Sequence, residues 1–97
     1  MITLDDVKNY LNITYNDEDT NDKVTGIFIR SEHKIRKLVA ASSSDVLTSS
    51  EEQLLLDLCR YTFNNAAEDF EANFMNDING ARAERQVAAM EAANNGG

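Results

Sequence analysis

The spacing of apolar residues predicts two helices in the first part of the chain. Thr3 suits the N-cap of a short helix over about residues 4–11, whose first turn carries two aspartates that favour the helix dipole. A polar turn from Asn16 to Asp22 precedes a second helix over about residues 20–40. The apolar stripe that this second helix is expected to bury consists of Val24, Ile27, Phe28, Ile35, Leu38 and Val39.

A long third helix is predicted over about residues 50–75, after a loop of small and polar residues. A capping box formed by Ser49 with Glu52, or by Ser50 with Gln53, would open this helix. Its inward positions over the first half are Leu54, Leu55, Leu58, Cys59, Thr62 and Ala66.

The helical pattern is interrupted between Met75 and Gly80. Residues 81–93 then have high helix propensity but only a weak apolar stripe. The chain has 97 residues and no proline, which suits one domain built of long helices. We therefore predict an all-α fold, a small bundle of about three main helices over residues 1–76 with a C-terminal helical arm or tail over residues 77–97.

Charge and composition exclude several classes of protein. The net charge is −8, and residues 49–97 carry nine acids but only three bases. This balance disfavours a free nucleic-acid binder and a protein that docks on an anionic membrane. Apolar runs are too short for a transmembrane helix or a secretion signal, and the single cysteine fits a reducing compartment. We expect a protein made in the cytoplasm that needs no membrane.

An acidic turn resembles the start of a calcium-binding loop. Asp17, Asp19 and Asn21 have the order of the first three ligands of an EF-hand. However, Asp22 stands where that loop needs glycine, and Phe28 stands where it needs the bidentate glutamate. We therefore interpret the segment as a solvated turn that caps the second helix.

No set of catalytic or metal-binding residues is apparent. Cys59 lies on the predicted buried stripe and is interpreted as a small core residue. His33 is the only histidine, and it has no cysteine near it in the sequence. We therefore predict no enzyme activity, no metal and no cofactor.

One basic cluster stands out in this acidic chain. Arg30, Lys34 and Lys37 share a face of the predicted second helix. Contact with nucleic acid, pairing with an acidic neighbouring subunit and a solvated helix face are all consistent with this pattern. A small helical DNA-binding or regulatory protein is therefore the alternative function that this basic cluster suggests.

Aromatic and apolar residues continue past the part of the third helix that a small bundle can cover. If the rest of the chain leaves Phe70, Phe74, Met75 and Ile78 uncovered, they form an exposed apolar patch. Patches of this kind mark interfaces with other proteins.

The order of these elements resembles the head–tail connector, or adaptor, family of siphophages. The resemblance covers about residues 2–70 and includes an acidic turn, an amphipathic helix from Val24 to Ala41 and a leucine-rich helix from Leu54 to Asn64. It begins with the stretch Met1-Ile2-Thr3-Leu4-Asp5-Asp6-Val7-Lys8-Asn9-Tyr10-Leu11-Asn12-Ile13.

The resemblance implies a virion protein of the head–tail neck, assembled in the bacterial host. It would form a ring beneath the portal protein, matching the portal's twelve-fold symmetry, and would offer a platform to a stopper or tail-completion protein. Genomic DNA would pass through the ring without specific binding, past an acidic lumen. The residues that we expect at a subunit or portal interface are Arg30, Lys34, Lys37, Phe70, Phe74, Met75, Ile78, Arg82, Arg85, Val87 and Met90.

Overall fold

Four α-helices make up a computed structural model that describes residues 1–14 and 16–95, with side chains as far as residue 92. The described residues contain no strand, and the prediction of a small all-α bundle is confirmed. Residues Gly96 and Gly97 of the predicted arm lie outside the described residues. The helices are α1 (Leu4–Tyr10), α2 (Glu18–Leu38), α3 (Ser49–Phe63) and α4 (Ala67–Asn95).

Side-chain caps fix where the first three helices begin. Thr3 caps α1, as predicted, and Asp17 caps α2 by accepting a hydrogen bond from the backbone N–H of Thr20 at 3.1 Å. The capping box of α3 is formed by Thr48 and Glu51, one residue before the first predicted pair. The Thr48 N–H donates to Glu51 Oε1 at 2.8 Å, and the Glu51 N–H donates to Thr48 Oγ1 at 3.2 Å. This register matters because it places the Glu51 carboxylate at the buried side of the helix.

The same device ends α1, α2 and α3. Asn12, Ala40 and Asn65 follow these helices with φ of 60°, 62° and 58°, the left-handed conformation that commonly ends a helix. After each of them the next N–H returns to a carbonyl five residues back, for example from Ala66 to Tyr61 at 2.8 Å. Asparagine tolerates this conformation better than most residues, so two of the three stops use a suitable side chain.

The boundary between the last two helices differs from the prediction. The predicted helix over residues 50–75 ends at Phe63, and α4 runs through the predicted interruption between Met75 and Gly80. The left-handed Asn65 ends α3, whereas burial of Ile78 and Ala81 against the bundle outweighs the cost of Gly80 inside a helix, about 1 kcal/mol relative to alanine. The helix kinks at Phe74, where φ of −113° and ψ of 16° are not helical and two helical segments meet, one residue before the predicted interruption. The predicted division at residue 76 stays a prediction, and α4 is continuous across it.

Helix α3 lies at the centre of the bundle, and α1, α2 and α4 all pack against it. The buried core residues are Val7, Ile13, Val24, Ile27, Ile35, Val39, Leu54, Leu55, Leu58, Cys59, Phe70, Ile78 and Ala81. The body measures 52 × 26 × 16 Å, so it is long and thin. Since α2 and α4 each pack mainly on α3, a surface groove is left between them.

The acidic turn that precedes α2 holds the ammonium group of Lys8. The Lys8 side chain is buried, and its Nζ donates to Asn21 Oδ1 at 2.7 Å and to Asn16 Oδ1 at 3.1 Å. Together with the N-cap role of Asp17, these bonds confirm the interpretation of the segment as a capping turn.

Candidate interface surfaces

One arginine fastens α4 to the start of α3. Arg85 Nε donates to Glu51 Oε2 at 2.5 Å and Nη2 donates to Glu51 Oε1 at 2.7 Å, a two-pronged contact that suits the planar guanidinium. Nη2 also donates to the carbonyl oxygen of Val46 at 3.0 Å, and Nη1 lies 3.4 Å from Asp45 Oδ2. We call this set of contacts the Arg85 clasp. It holds α4 at a point about five turns from its beginning.

The Glu51 carboxylate is the buried member of the Arg85 clasp, with a side chain only 1% exposed. Burial is the largest influence on this carboxyl and raises its pKa. The hydrogen bonds and charge of Arg85, together with the bonds from Thr48, outweigh burial, so the pKa of Glu51 lies below its ordinary value of 4.5. Glu51 in turn raises the pKa of Arg85. The pair is therefore ionised at neutral pH.

An aromatic cluster fastens the beginning of α4. The rings of Phe70 and Phe74 stack with centroids 4.8 Å apart, and both meet Tyr61 of α3 edge-on at 5.8 and 5.6 Å. Edge-on and offset-stacked rings are the favoured aromatic geometries. The cluster covers Phe70 completely and leaves Phe74 half-buried.

The opposite side of α4 is exposed and carries apolar groups. At about 100° per residue, Ile78, Ala81 and Arg85 fall on one side of the helix, which we call the clasped face. Val87 and Met90 fall roughly opposite and are 54% and 66% exposed. Glu84 and Glu91 flank them and are also exposed. We call these last four residues the distal face.

Basic residues gather in the groove between α2 and α4. Five of the nine Lys and Arg residues of the chain line it, with only two of the 17 acids. Apolar surface in the groove comes from Ile29, which is 63% exposed, and from Leu38. We call this surface the basic groove. Its cationic residues are Arg30, Lys34, Arg36, Lys37 and Arg82.

Two cations of the basic groove are already engaged within the chain. Lys34 Nζ lies 3.3 Å from Glu71 Oε1, and Arg36 Nη1 donates at 2.7 Å to the carbonyl oxygens of both Ser42 and Asp45. Among the described residues, no ion pair engages Arg30, Lys37 or Arg82. These three guanidinium and ammonium groups are available to a partner.

The eleven residues expected at an interface separate into surface and core positions. Phe70 and Ile78 are buried, so the condition for an uncovered apolar patch is not met at these two positions. They are covered because α4 turns back at Asn65 and lies along α3. Arg85 is mostly buried in its clasp. The remaining eight lie in the basic groove, on the distal face or at the kink, where Met75 is exposed and Phe74 is half-buried, namely Arg30, Lys34, Lys37, Arg82, Val87, Met90, Phe74 and Met75. Their role at an interface stays a prediction.

Two polar contacts that position these surfaces were missed in the sequence. Glu51 is the anchor of the Arg85 clasp, and the Tyr10 hydroxyl donates to Asp57, which joins α1 to α3. The hydrogen bond to Asp57 is the main cause of a raised pKa of Tyr10. The motif Thr-x-x-Glu at Thr48 could have revealed the register of α3, because it is a capping box in its own right. No local signal identifies the partner of Glu51, which lies 34 residues away.

The cysteine and the histidine occupy unlike environments. Cys59 is fully buried, as predicted, and burial raises the pKa of its thiol. His33 is exposed on α2 and lines the basic groove. Within residues 1–14 and 16–95, no three His, Cys, Asp or Glu side chains gather in a group suited to a metal ion.

Comparison with family models, with curated proteins and with solved structures finds no match to this chain. In the part of the chain that the structure describes, no helix is long and apolar enough to cross a membrane. The candidate surfaces are therefore interpreted from their own chemistry.

Proposed function

We propose that this chain is a structural head–tail adaptor of a tailed phage, working as one subunit of a ring beneath the portal. The observation that carries the proposal is the distal face, which exposes two large apolar side chains on a helix whose opposite side is packed against the bundle. A face of this kind suits contact with another protein, because burial of Val87 and Met90 removes apolar surface from water.

Further support comes from the order of the helices and from the charge. The short α1, the acidic turn, the amphipathic α2 and the leucine-rich α3 are the elements on which the adaptor resemblance rests. The net charge of −8 suits a channel through which DNA slides without binding. In this proposal the partners are the portal protein, further copies of the chain and a stopper or tail-completion protein. The site of action is the neck of the virion.

The mechanism that we propose is assembly without chemistry. Each subunit would arrive with its bundle already folded, and the portal would supply the template on which subunits meet. A ring made from one repeated contact is heterologous, so each subunit offers two different surfaces to its neighbours. The basic groove and the distal face supply two unlike surfaces on opposite sides of α4.

The direct test mixes the purified chain with the portal protein from the same genome. We expect the chain to sediment with the portal and to add a ring that negative-stain microscopy resolves below it. The double variant Val87→Ser with Met90→Gln should reduce the bound fraction, while its circular dichroism spectrum stays that of the parent protein. Failure to bind over a range of salt and protein concentrations would overturn the adaptor role.

The basic groove favours one second candidate, a small DNA-binding or regulatory protein. Its cations make a patch of the kind that contacts phosphates. Glu32 and Glu71 line the same groove and would oppose a phosphate backbone, so this candidate ranks below the adaptor. A gel shift on duplex DNA that weakens with salt would support it, and the absence of a shift at low salt would remove it.

A further inference from the structure

We propose that the basic groove of one copy of this chain receives the distal face of α4 from a second copy. The contact is head-to-tail, since it joins two different surfaces. It rests on the proposed function in so far as it supplies the contact between neighbours in the ring. The association itself can be measured without any portal protein.

The two surfaces are complementary in charge. Beyond Arg85 the chain contains no Lys or Arg, and Glu84 and Glu91 give the distal face a negative charge. The basic groove offers Arg30, Lys37 and Arg82, which no ion pair engages among the described residues. Opposite charges placed in this way select the partner and orient it.

The two surfaces also match in their apolar content. Ile29, which is 63% exposed, and Leu38 both line the basic groove, while Val87 and Met90 project from the distal face. An amphipathic helix that presents anchors three residues apart commonly docks in a groove lined by apolar groups. The distal face has this form, with Glu84 and Glu91 at either end of the apolar pair.

The partner of the distal face must come from outside its own subunit, because the chain cannot fold this face inward, and the complementary groove of a second copy supplies that partner. The Arg85 clasp and the burial of Ile78 and Ala81 fix the opposite side of α4 against the bundle. Val87 and Met90 therefore point away from the body that carries them. Repetition of such a contact closes into a ring when the rotation between copies permits, and otherwise gives an open chain.

The experiment is sedimentation velocity of the purified full chain over a wide concentration range, in low and in high salt. We expect association that strengthens with concentration and weakens with salt, because charged groups contribute to it. The groove variant Arg30→Glu with Lys37→Glu and the face variant Glu84→Lys with Glu91→Lys should each weaken association by about ten-fold or more. All four positions are exposed, so circular dichroism should be unchanged.

The decisive experiment mixes the groove variant with the face variant. In an equimolar mixture, the reversed groove meets the reversed face and the unchanged groove meets the unchanged face, so association should return towards that of the parent protein. A matched control is Asp19→Lys with Asp22→Lys, which alters two exposed acids on α2 by the same charge. This control should associate like the parent protein, and its unchanged distal face should not pair with the reversed groove of the groove variant.

Several results would overturn the proposal. A parent protein that stays monomeric up to millimolar concentration would do so, as would weakening by the Asp19 and Asp22 control equal to that by the face variant. Loss of portal binding in the groove variant, with self-association unchanged, would assign the groove to the portal instead. Portal binding that survives when self-association is absent would overturn this contact and leave the adaptor role standing.

Discussion

The clasped and distal faces of α4 are parts of one helix, yet they have opposite relations to the rest of the molecule. Ile78 and Ala81 are buried, and Arg85 holds a buried carboxylate. A half-turn around the same helix, Val87 and Met90 are exposed between two glutamates. The helix is rich in alanine, glutamate and asparagine throughout, so composition does not separate the two faces. What separates them is their position around the helix: the apolar and basic residues of the clasped face lie on the side that packs against α3, and those of the distal face do not.

This difference teaches how a thin bundle can offer a firm surface to a partner. A helix end with so few apolar contacts of its own would fray if it stood alone. The Arg85 clasp and the aromatic cluster hold the helix from behind at two points. The distal face is therefore presented on a supported helix, which reduces the ordering that a partner would have to impose.

The largest effect that we expect comes from truncating the clasped face. Ile78→Ala should lower the free energy of unfolding by roughly 2–4 kcal/mol, because it leaves a cavity between α3 and α4. The matched change on the distal face, Val87→Ala, should alter it by less than about 0.5 kcal/mol. Urea unfolding followed by circular dichroism measures both. Equal losses in the two variants would show that the faces are not different in the folded monomer.

The next effect comes from the Arg85 clasp. Arg85→Ala should cost roughly 2–3 kcal/mol, since it strands the buried Glu51 carboxylate without its counter-charge. Arg82→Ala removes the same kind of side chain one turn earlier, where it is exposed, and should cost almost nothing. Thermal unfolding of both variants gives the comparison. A similar loss from Arg82→Ala would contradict the assignment of the clasp to Arg85.

The pH dependence of this pair of variants sharpens the comparison. Glu51 has a lowered pKa in the folded chain, so its contribution to stability is present above its ordinary pKa of 4.5 and is lost as the pH falls below it. In Arg85→Ala, the charged Glu51 carboxylate is buried without the arginine that balances it. Protonation at low pH removes this charge and so lowers the cost of burying Glu51. The stability gap between parent protein and Arg85→Ala should therefore narrow as the pH falls below about 4.5.

Unfolding at a series of pH values measures that gap. The Arg82→Ala variant is again the control, and its small difference from the parent protein should stay constant over the same range. If the difference in unfolding free energy between the parent protein and Arg85→Ala does not depend on pH, then loss of the Arg85 clasp does not change the pKa of Glu51.

The smallest effect lies outside α4 and stabilises the chain. Ala40 adopts a φ of 62° after α2, which is unfavourable for a residue with a Cβ atom. Ala40→Gly should therefore raise the free energy of unfolding by about 0.5–1 kcal/mol, as chemical denaturation would show. The same change at the helical Ala72, which is exposed, should instead destabilise by a similar amount. The stabilised protein is a suitable background for the clasp variants.

Much of the fold was predictable because local chemistry determines it. Thr3 as a cap, the apolar stripe of α2 and the leucines of α3 all follow from spacing and capping preferences that act within a few residues. The boundary at Asn64 and Asn65 was also marked locally, since asparagine is the usual substitute for glycine in a left-handed helix stop. The predicted interruption between Met75 and Gly80 is present only as a kink at Phe74, and residues 75–80 are helical because Ile78 and Ala81 pack against the bundle.

The candidate surfaces were less predictable than the fold. The basic cluster on α2 was visible, because Arg30, Lys34 and Lys37 are helical neighbours. The roles of Phe70, Ile78 and Arg85 depend on where α4 lies relative to α3. That placement is a long-range relation, exemplified by the bond from Arg85 to a glutamate 34 residues earlier. Periodicity identifies which side of a helix is apolar, but it does not say which neighbour covers that side.

The bond between Tyr10 and Asp57 spans 47 residues and so imposes an order on folding as the chain leaves the ribosome. Helix α1 has seven residues, too few to persist as an isolated helix, and it packs on α2 and α3. It gains its second support only after α3 has been synthesised. Helix α1 is thus fully secured only after the middle of the chain has been made, and until then Leu4 and Leu11 lack part of the cover that the folded bundle gives them.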